Sequence, residues 1–336
     1  MNRREFLTRA GAATAAVAAL PYAASAFGPT KPDGSKSRVV VVRDDALAQD
    51  SPDPKRVREL LDEAGRALAG DARSADAWAR WFKPDDRVSI KVNCLGFSTS
   101  PVVAVALAEA IGSAGVAPER IILWDRSDRE LKASGHTLRT SGKGVRCFGT
   151  DALASRGGEG YASQIATSGA IGSLYSRIVT EETTALASAA ILKDHNLAGL
   201  TGCLKNFYGA IHNPNKYHEN GCDPFIADVC AHPHIRGRLR IALCDATRPQ
   251  YDGGPPSRPD RQWAYGGILL ATDPVALDRV ALMILERKRA AAKMKTLAEE
   301  KRPVRYLASA EARGLGAADL ERIEVIGIGK PWLDVG

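Results

Sequence analysis

The sequence predicts an α/β protein: a layered, mainly parallel sheet flanked by helices, with a ligand site at the carboxyl ends of the strands. Three observations carry that prediction. Continuous apolar runs such as VVVV (39–42), IIL (121–123) and AAIL (189–192) are too short for helices and read as strands buried on both faces. Amphipathic or Ala-rich stretches of helical length alternate with them, which is how parallel strands are connected. Finally, strand after strand closes on polar residues: Lys91 and Asn93, Asp125, Lys193 to His195, and Asp245. In open α/β sheets ligands bind outside the carboxyl ends of the strands.

The elements follow in chain order. Arg3 and Arg4 open RREFL, an Ala-rich run broken by Pro21 follows, and Ala24-Ser25-Ala26 supplies a small-x-small cleavage site. A charged start, a short apolar core and a small-residue exit describe a signal peptide over 1–26. The run is too weakly apolar for a span, which needs about 20 strongly apolar residues. The paired arginines resemble a twin-arginine (Tat) signal, so the expectation is export through the Tat translocase to the periplasm, with no permanent membrane anchor. Cleavage after Ala26 leaves 310 of the 336 residues and lowers the formal charge from +7 to about +5.

Residues 27–37 form a polar Pro/Gly/Ser linker, and 38–336 are read as a single α/β domain. Within it SRVVVVR (37–43) is a strand and PKRVRELLDEAGRALAG (54–70) an amphipathic helix with a glycine end. DRVSIKVN (86–93) is the next strand, VVAVALAEAIGSAG (102–115) a helix, RIILWD (120–125) a strand, and GVRCFG (144–149) a further short one. Residues 151–182 are rich in Gly, Ser and Ala and show no clear period. ASAAILKD (187–194) and LRIALCD (239–245) read as interior strands, 273–300 as a long helix, and RIEVIGIG (322–329) as the closing strand.

Composition and motif spacing exclude several functions. The mild positive charge is spread along the chain, unlike the clustered stripe of a nucleic-acid binder, and suits solubility and a small anionic ligand. No GxSxG, no GxGxxG after a strand and no P-loop spacing occurs. Six cysteines, Cys94, Cys147, Cys203, Cys222, Cys230 and Cys244, form no CxxC pair. For most of them buried free thiols are the first explanation, disulfides the second and metal ligation the third; Cys203 and Cys222 are exceptions because of their neighbours.

The densest chemistry lies in ILKDHNLAGLTGCLKNFYGAIHNPNKYH (191–218). Thr201-Gly202 would start a helix whose free N–H groups could hold an anion. Lys205 and Asn206, one turn further, would orient an anionic or carbonyl group. The catalytic candidates are Lys205, His195 and Lys193. Lys91, Asn93, Asn206 and Asp125 are the substrate-binding candidates. His195, Cys203 and Asp245 form the candidate set for a transition metal, a donor combination that suits Zn, Fe, Ni or Cu. His212 and His218 are weaker candidates, His232-Pro233-His234 reads as an exposed loop, and KYHENGCDP (216–224) as a loop able to close over the site.

These blocks together resemble the domain of unknown function 362 family: KVN after a strand, IILWD, ILKDH…TGCLKNFYG, LCDATRPQYDGGP and LLATDPVALDRVAL, in order over roughly residues 38–290. The resemblance implies roles for Lys91, Asn93, Asp125, Lys193, His195, Lys205, Asn206, Asp245 and Asp273. Asp273 also reads as a helix cap before Pro274. Some relatives carry ferredoxin-like iron–sulfur modules, which implies redox or metal chemistry. This chain has no CxxCxxC module and so does not point to an iron–sulfur cluster. The expected function is that of an exported protein with a metal- or anion-binding site, acting as a redox-linked or hydrolytic enzyme. The alternative is a non-catalytic periplasmic binding or accessory protein serving a small anion, a metal ion or a Tat-exported redox enzyme.

Overall fold

The structure is a computed structural model that describes residues 35–154 and 159–336. The signal peptide over 1–26 and the linker up to residue 34 lie outside the described residues. Strands β1 (Ser37–Arg43), β2 (Val88–Val92), β3 (Ile121–Trp124) and β4 (Arg146–Cys147) come first. β5 (Ala166–Ser168) and β6 (Ile171–Ser173) form a separate hairpin, followed by β7 (Ala185–His195), β8 (Gly199–Thr201), β9 (Leu239–Gln250), β10 (Gly267–Ala271) and β11 (Ile323–Gly329). The main sheet runs β11-β1-β10-β9-β7-β2-β3-β4, with β8 beside the end of β7.

Only β10 and β8 pair antiparallel to their neighbours; every other pairing in the main sheet is parallel. The sheet is therefore mixed but mostly parallel, and β1, β2, β3, β7, β9 and β11 point their carboxyl ends the same way. β10 (GILLA) was not anticipated as a strand. Its five residues between a turn and a helix cap carry too little period of their own.

The apolar runs divide between two cores because successive side chains on a strand face opposite ways. Val39 and Val41 join one cluster while Val40 and Val42 join the other, and Ile122 and Trp124 separate likewise from Ile121 and Leu123. One face is covered by helices α1 (Pro54–Ala69) and α2 (Pro101–Gly112), the other by α3 (Pro274–Ala291) and the short helices Phe225–Ala231 and Tyr306–Ala312. The local signals for α1 all act: Asp53 accepts from Lys55 N–H, Pro54 fills the first turn, and Gly70 closes it at φ +73°.

Two readings are corrected here, and a third, the buried free thiols, agrees with the structure. The long helix stops at Ala291 instead of running to 300, because the chain turns at Lys293 (φ +57°) and folds back over the fully buried Arg289. That guanidinium donates to Lys295 O at 2.9 Å and Tyr251 O at 3.0 Å and pairs with Glu300 at 2.6 Å. The His232-Pro233-His234 segment opens a short helix, with His232 buried and stacked on Tyr175 at 4.5 Å. All six cysteines are free, buried thiols. Among the described residues no helix is long and apolar enough to cross a membrane.

Candidate functional site

A cleft of about 110 Å³ opens at the carboxyl ends of β2, β3 and β7. Seven sequence candidates line it: Lys91, Asn93, Asp125, Lys193, His195, Lys205 and Asn206. Their convergence follows from strand geometry. At the end of β7 the chain reverses into β8, pairing Lys193 with Thr201 and His195 with Gly199. Residues 193 and 195 share a face, so both reach the cleft, while Asp194 turns away to Arg302 (2.9 Å) and Gly254 N–H (2.6 Å). The reversal also corrects the helix predicted from Thr201. Thr201 ends β8, and a 3₁₀ segment begins only at Lys205.

The N–H groups expected there to hold an anion are already bound. Asp278 of α3, fully buried, accepts from Cys203 N–H at 2.6 Å and Leu204 N–H at 3.1 Å. Burial pushes its carboxyl up to about 7. Asp278→Ala would leave two buried donors unpaired and is expected to lower stability by about 2–5 kcal/mol, measured by urea unfolding. Asp278→Asn, which keeps one acceptor, should cost less.

The three lysines of the cleft differ in one respect. Lys91 Nζ lies 2.6 Å from Asp125 Oδ1, 2.6 Å from Val92 O and 3.2 Å from Asn206 Oδ1. Lys193 Nζ lies 2.6 Å from Leu95 O, 2.6 Å from Phe97 O and 3.5 Å from Pro255 O. Each ammonium thus faces three fixed acceptors, as many as it has protons. Lys193 ties two loops to the end of β7. Burial nevertheless draws its amine down to about 7. Lys205 is only 7 % exposed and has no carboxylate partner among the described residues. Its Nζ meets His218 Nε2 at 3.4 Å and the Tyr208 ring face at 4.4 Å, and burial lowers its amine to about 8.

The imidazoles are fixed as neutral tautomers by their backbone contacts. His195 Nδ1 accepts from Leu197 N–H (3.1 Å) and Ala198 N–H (3.3 Å), so its proton resides on Nε2. Burial, with the Lys205 charge beside it, holds its pKa down to about 2. It is a hydrogen-bond donor here and no base. His218 donates Nδ1–H to Pro214 O at 3.0 Å, which leaves Nε2 to accept from Lys205.

Asn206 is consumed in bracing: its amide donates to Lys91 O (2.7 Å) and Ser188 Oγ (3.1 Å). Gly209 stands against the Lys91–Asp125 pair. A Cβ there would come within 2.6 Å of Lys91 Cε and 2.9 Å of Asp125 Oδ1. Gly209→Ala is expected to displace the pair and cost about 1–3 kcal/mol, read as a lower thermal midpoint.

The proposed metal set does not assemble. Asp245 is fully buried and accepts from Ser100 N–H (2.9 Å), Thr247 N–H (3.0 Å) and Thr247 Oγ1 (2.7 Å), which anchors the start of α2. Cys203 donates Sγ–H to Leu243 O at 3.1 Å, and burial raises its thiol far above the ordinary value. Neither lines the cleft, and His195 Nδ1 is occupied. Among the described residues no group of three or more His, Cys, Asp or Glu is placed to hold a metal ion. Asp273 caps α3 through Val275 and Ala276 N–H, both at 2.9 Å. His212 is exposed, edge-on to Tyr161.

Sequence reading missed Arg126, Glu130 and Tyr208 as lining residues and took Thr201 for a cap. Arg126 immediately follows the strand-end Asp125, so extending the strand-end rule by one residue would have found it. Loop residues Leu95, Pro214, Asn215 and Pro255 carry no such signal. Cations outnumber carboxylates in the cleft: Lys91, Arg126, Lys193 and Lys205 against Asp125 and Glu130. Three buried polar atoms on its wall have no hydrogen-bond partner among the described residues: Thr201 Oγ1, Asn93 Oδ1 and Arg126 Nε.

Fold and site together define a layered α/β protein with a cationic cleft at the carboxyl ends of its parallel strands. The chain belongs to the domain of unknown function family DUF362, whose family model matches residues 88–283, from β2 into α3. A comparison with curated proteins finds no match.

Proposed function

We propose that the chain binds a small anionic ligand in this cleft and uses Lys205 as its charge-bearing acid–base group. One observation carries the reading: among the described residues Lys205 is a buried ammonium with no carboxylate beside it, on a wall that also presents the unpartnered hydroxyl of Thr201. Burying a charge is costly unless something compensates it, and an anionic ligand supplies the missing partner. With an amine near 8, Lys205 can hold or release a proton close to neutral pH. The donor set of ammonium, guanidinium and His195 Nε2–H attracts anions and repels cations, so the anion version is preferred to the metal version.

A panel of phosphate, sulfate and short mono- and dicarboxylates would be tested by thermal shift at pH 7. A saturable rise with at least one anion, absent in Lys205→Met, supports the reading; no response to any of them overturns it. Non-catalytic capture is the alternative, supported by the saturated contacts of Lys91 and Lys193, which leave few groups free to act. Turnover of a bound anion separates the two.

The paired Arg3 and Arg4, the Ala-rich run and Ala24-Ser25-Ala26 support export by the Tat route to the periplasm. Replacing both arginines by lysine should retain the precursor in the cytoplasm. Unchanged export of that variant would overturn the Tat assignment.

A further inference from the structure

We propose that Lys205 forms a covalent imine with the carbonyl carbon of a short 2-oxo acid, the carboxylate being held by Arg126. This deepens the anion reading and rests on it. The inference starts from the contrast among the three lysines. Lys91 and Lys193 have every N–H direction engaged by fixed acceptors, so neither nitrogen can present a lone pair to a ligand. Lys205 has one hydrogen-bonding neighbour, the acceptor nitrogen of His218, and the apolar face of Tyr208. Those two contacts leave N–H directions of Lys205 uncommitted, and burial outweighs them, drawing the amine down to about 8 so that the free amine, the nucleophile, forms close to neutral pH.

The ligand class follows from what else lines the cleft. Arg126 brings a second cation whose Nε has no hydrogen-bond partner, suited to a carboxylate. Thr201 is 3 % exposed and its hydroxyl is unpartnered, and His195 keeps a proton on Nε2. Both are donors for an oxygen that develops negative charge. The enclosed part of the cleft, about 110 Å³, accommodates a ligand of a few carbons.

The step balances without a redox partner. The Lys205 ammonium passes a proton to His218 Nε2, and the amine lone pair attacks the carbonyl carbon. A C–N bond forms, the C=O π bond breaks, and the oxygen takes up the proton to give a carbinolamine. Loss of that oxygen as water leaves the C=N bond, so one ammonium and one ketone yield one protonated imine and one water.

The test treats the purified chain with pyruvate or glyoxylate and borohydride, then maps the modified peptide. Acetate and lactate serve as anions without a reactive carbonyl. The expected result is a reduced adduct on Lys205 in the pyruvate and glyoxylate samples, diminished when lactate competes. Lys205→Arg should lose that adduct. Thermal shifts by all four anions without an adduct on wild-type Lys205 would overturn the imine and leave the anion reading standing. An adduct on Lys205 that lactate and acetate neither compete with nor mimic in thermal shift would support the imine and overturn the anion reading. Modification spread over surface lysines with Lys205 spared overturns the proposal even if the arginine variant fails to fold.

Discussion

Lys91→Met is expected to lower stability by about 3–5 kcal/mol, the usual cost of removing one partner from a buried ion pair. Lys91 is 1 % exposed and its partner Asp125 5 %. Without the ammonium, the Asp125 carboxylate would retain only Cys94 N–H at 2.7 Å and Arg126 N–H at 2.7 Å. The same loss frees Asn206 Oδ1, which loosens the segment carrying Lys205. Urea unfolding should therefore show a much lower midpoint, and ligand-induced thermal shift should weaken together with it. Lys91→Met combined with Asp125→Asn should recover part of the loss, because the uncompensated charge is gone while an acceptor for one of the two N–H groups remains. A single variant as stable as wild type would show that the pair contributes nothing.

Lys205→Met is expected to act in the opposite direction on stability while abolishing the response to anions. The folded amine titrates near 8, against an ordinary value of 10.5, because burial disfavours the charged form. Below pH 8 both folded and unfolded chains hold the proton, and the folded chain bears the full cost of a desolvated ammonium. Between pH 8 and 10.5 the folded chain has released its proton and the unfolded chain has not, so wild-type stability rises with pH across that window. The methionine variant lacks that rise. It should be more stable than wild type by up to about 3 kcal/mol at pH 7, an upper bound from the shift, with the gain shrinking above pH 8. Paired unfolding curves at pH 7 and pH 10 measure this. A variant less stable than wild type at pH 7 would mean that the contacts with His218 and Tyr208 outweigh the buried charge.

The two lysines illustrate what the sequence could and could not convey. Both sit next to apolar residues in strand-end blocks, and both were singled out for that reason. Their opposite energetic roles come from neighbours distant in the chain: Asp125 and Asn206 around Lys91, His218 beside Lys205. The strand-end rule brought the right segments of β2, β3 and β7 together because parallel strands align their carboxyl ends whatever their order. The same rule misassigned Asp245. Its strand, β9, continues to Gln250, so this carboxylate lies inside the sheet and binds the backbone at the start of α2. The free N–H groups assigned to an anion at Thr201-Gly202 were a fair local inference. It failed because Asp278, more than seventy residues away, satisfies N–H groups in that turn.

What the sequence determined by itself is what local period and capping dictate. The continuous apolar strands, the helix limits at Asp53-Pro54, Gly70 and Asp273-Pro274, and the strand-end cluster of polar residues are of this kind. A strand's two faces and a helix's unpaired ends impose these demands on residues only a few positions apart. Only the tertiary structure decided which polar groups were already satisfied. Satisfaction depends on through-space partners such as Asp278, Asp125 and the carbonyls of Leu95 and Phe97. For that reason a crowd of lysines, histidines and asparagines in one segment resolved into a braced wall on which Lys205 is the lysine left, among the described residues, with neither a carboxylate nor a full set of acceptors.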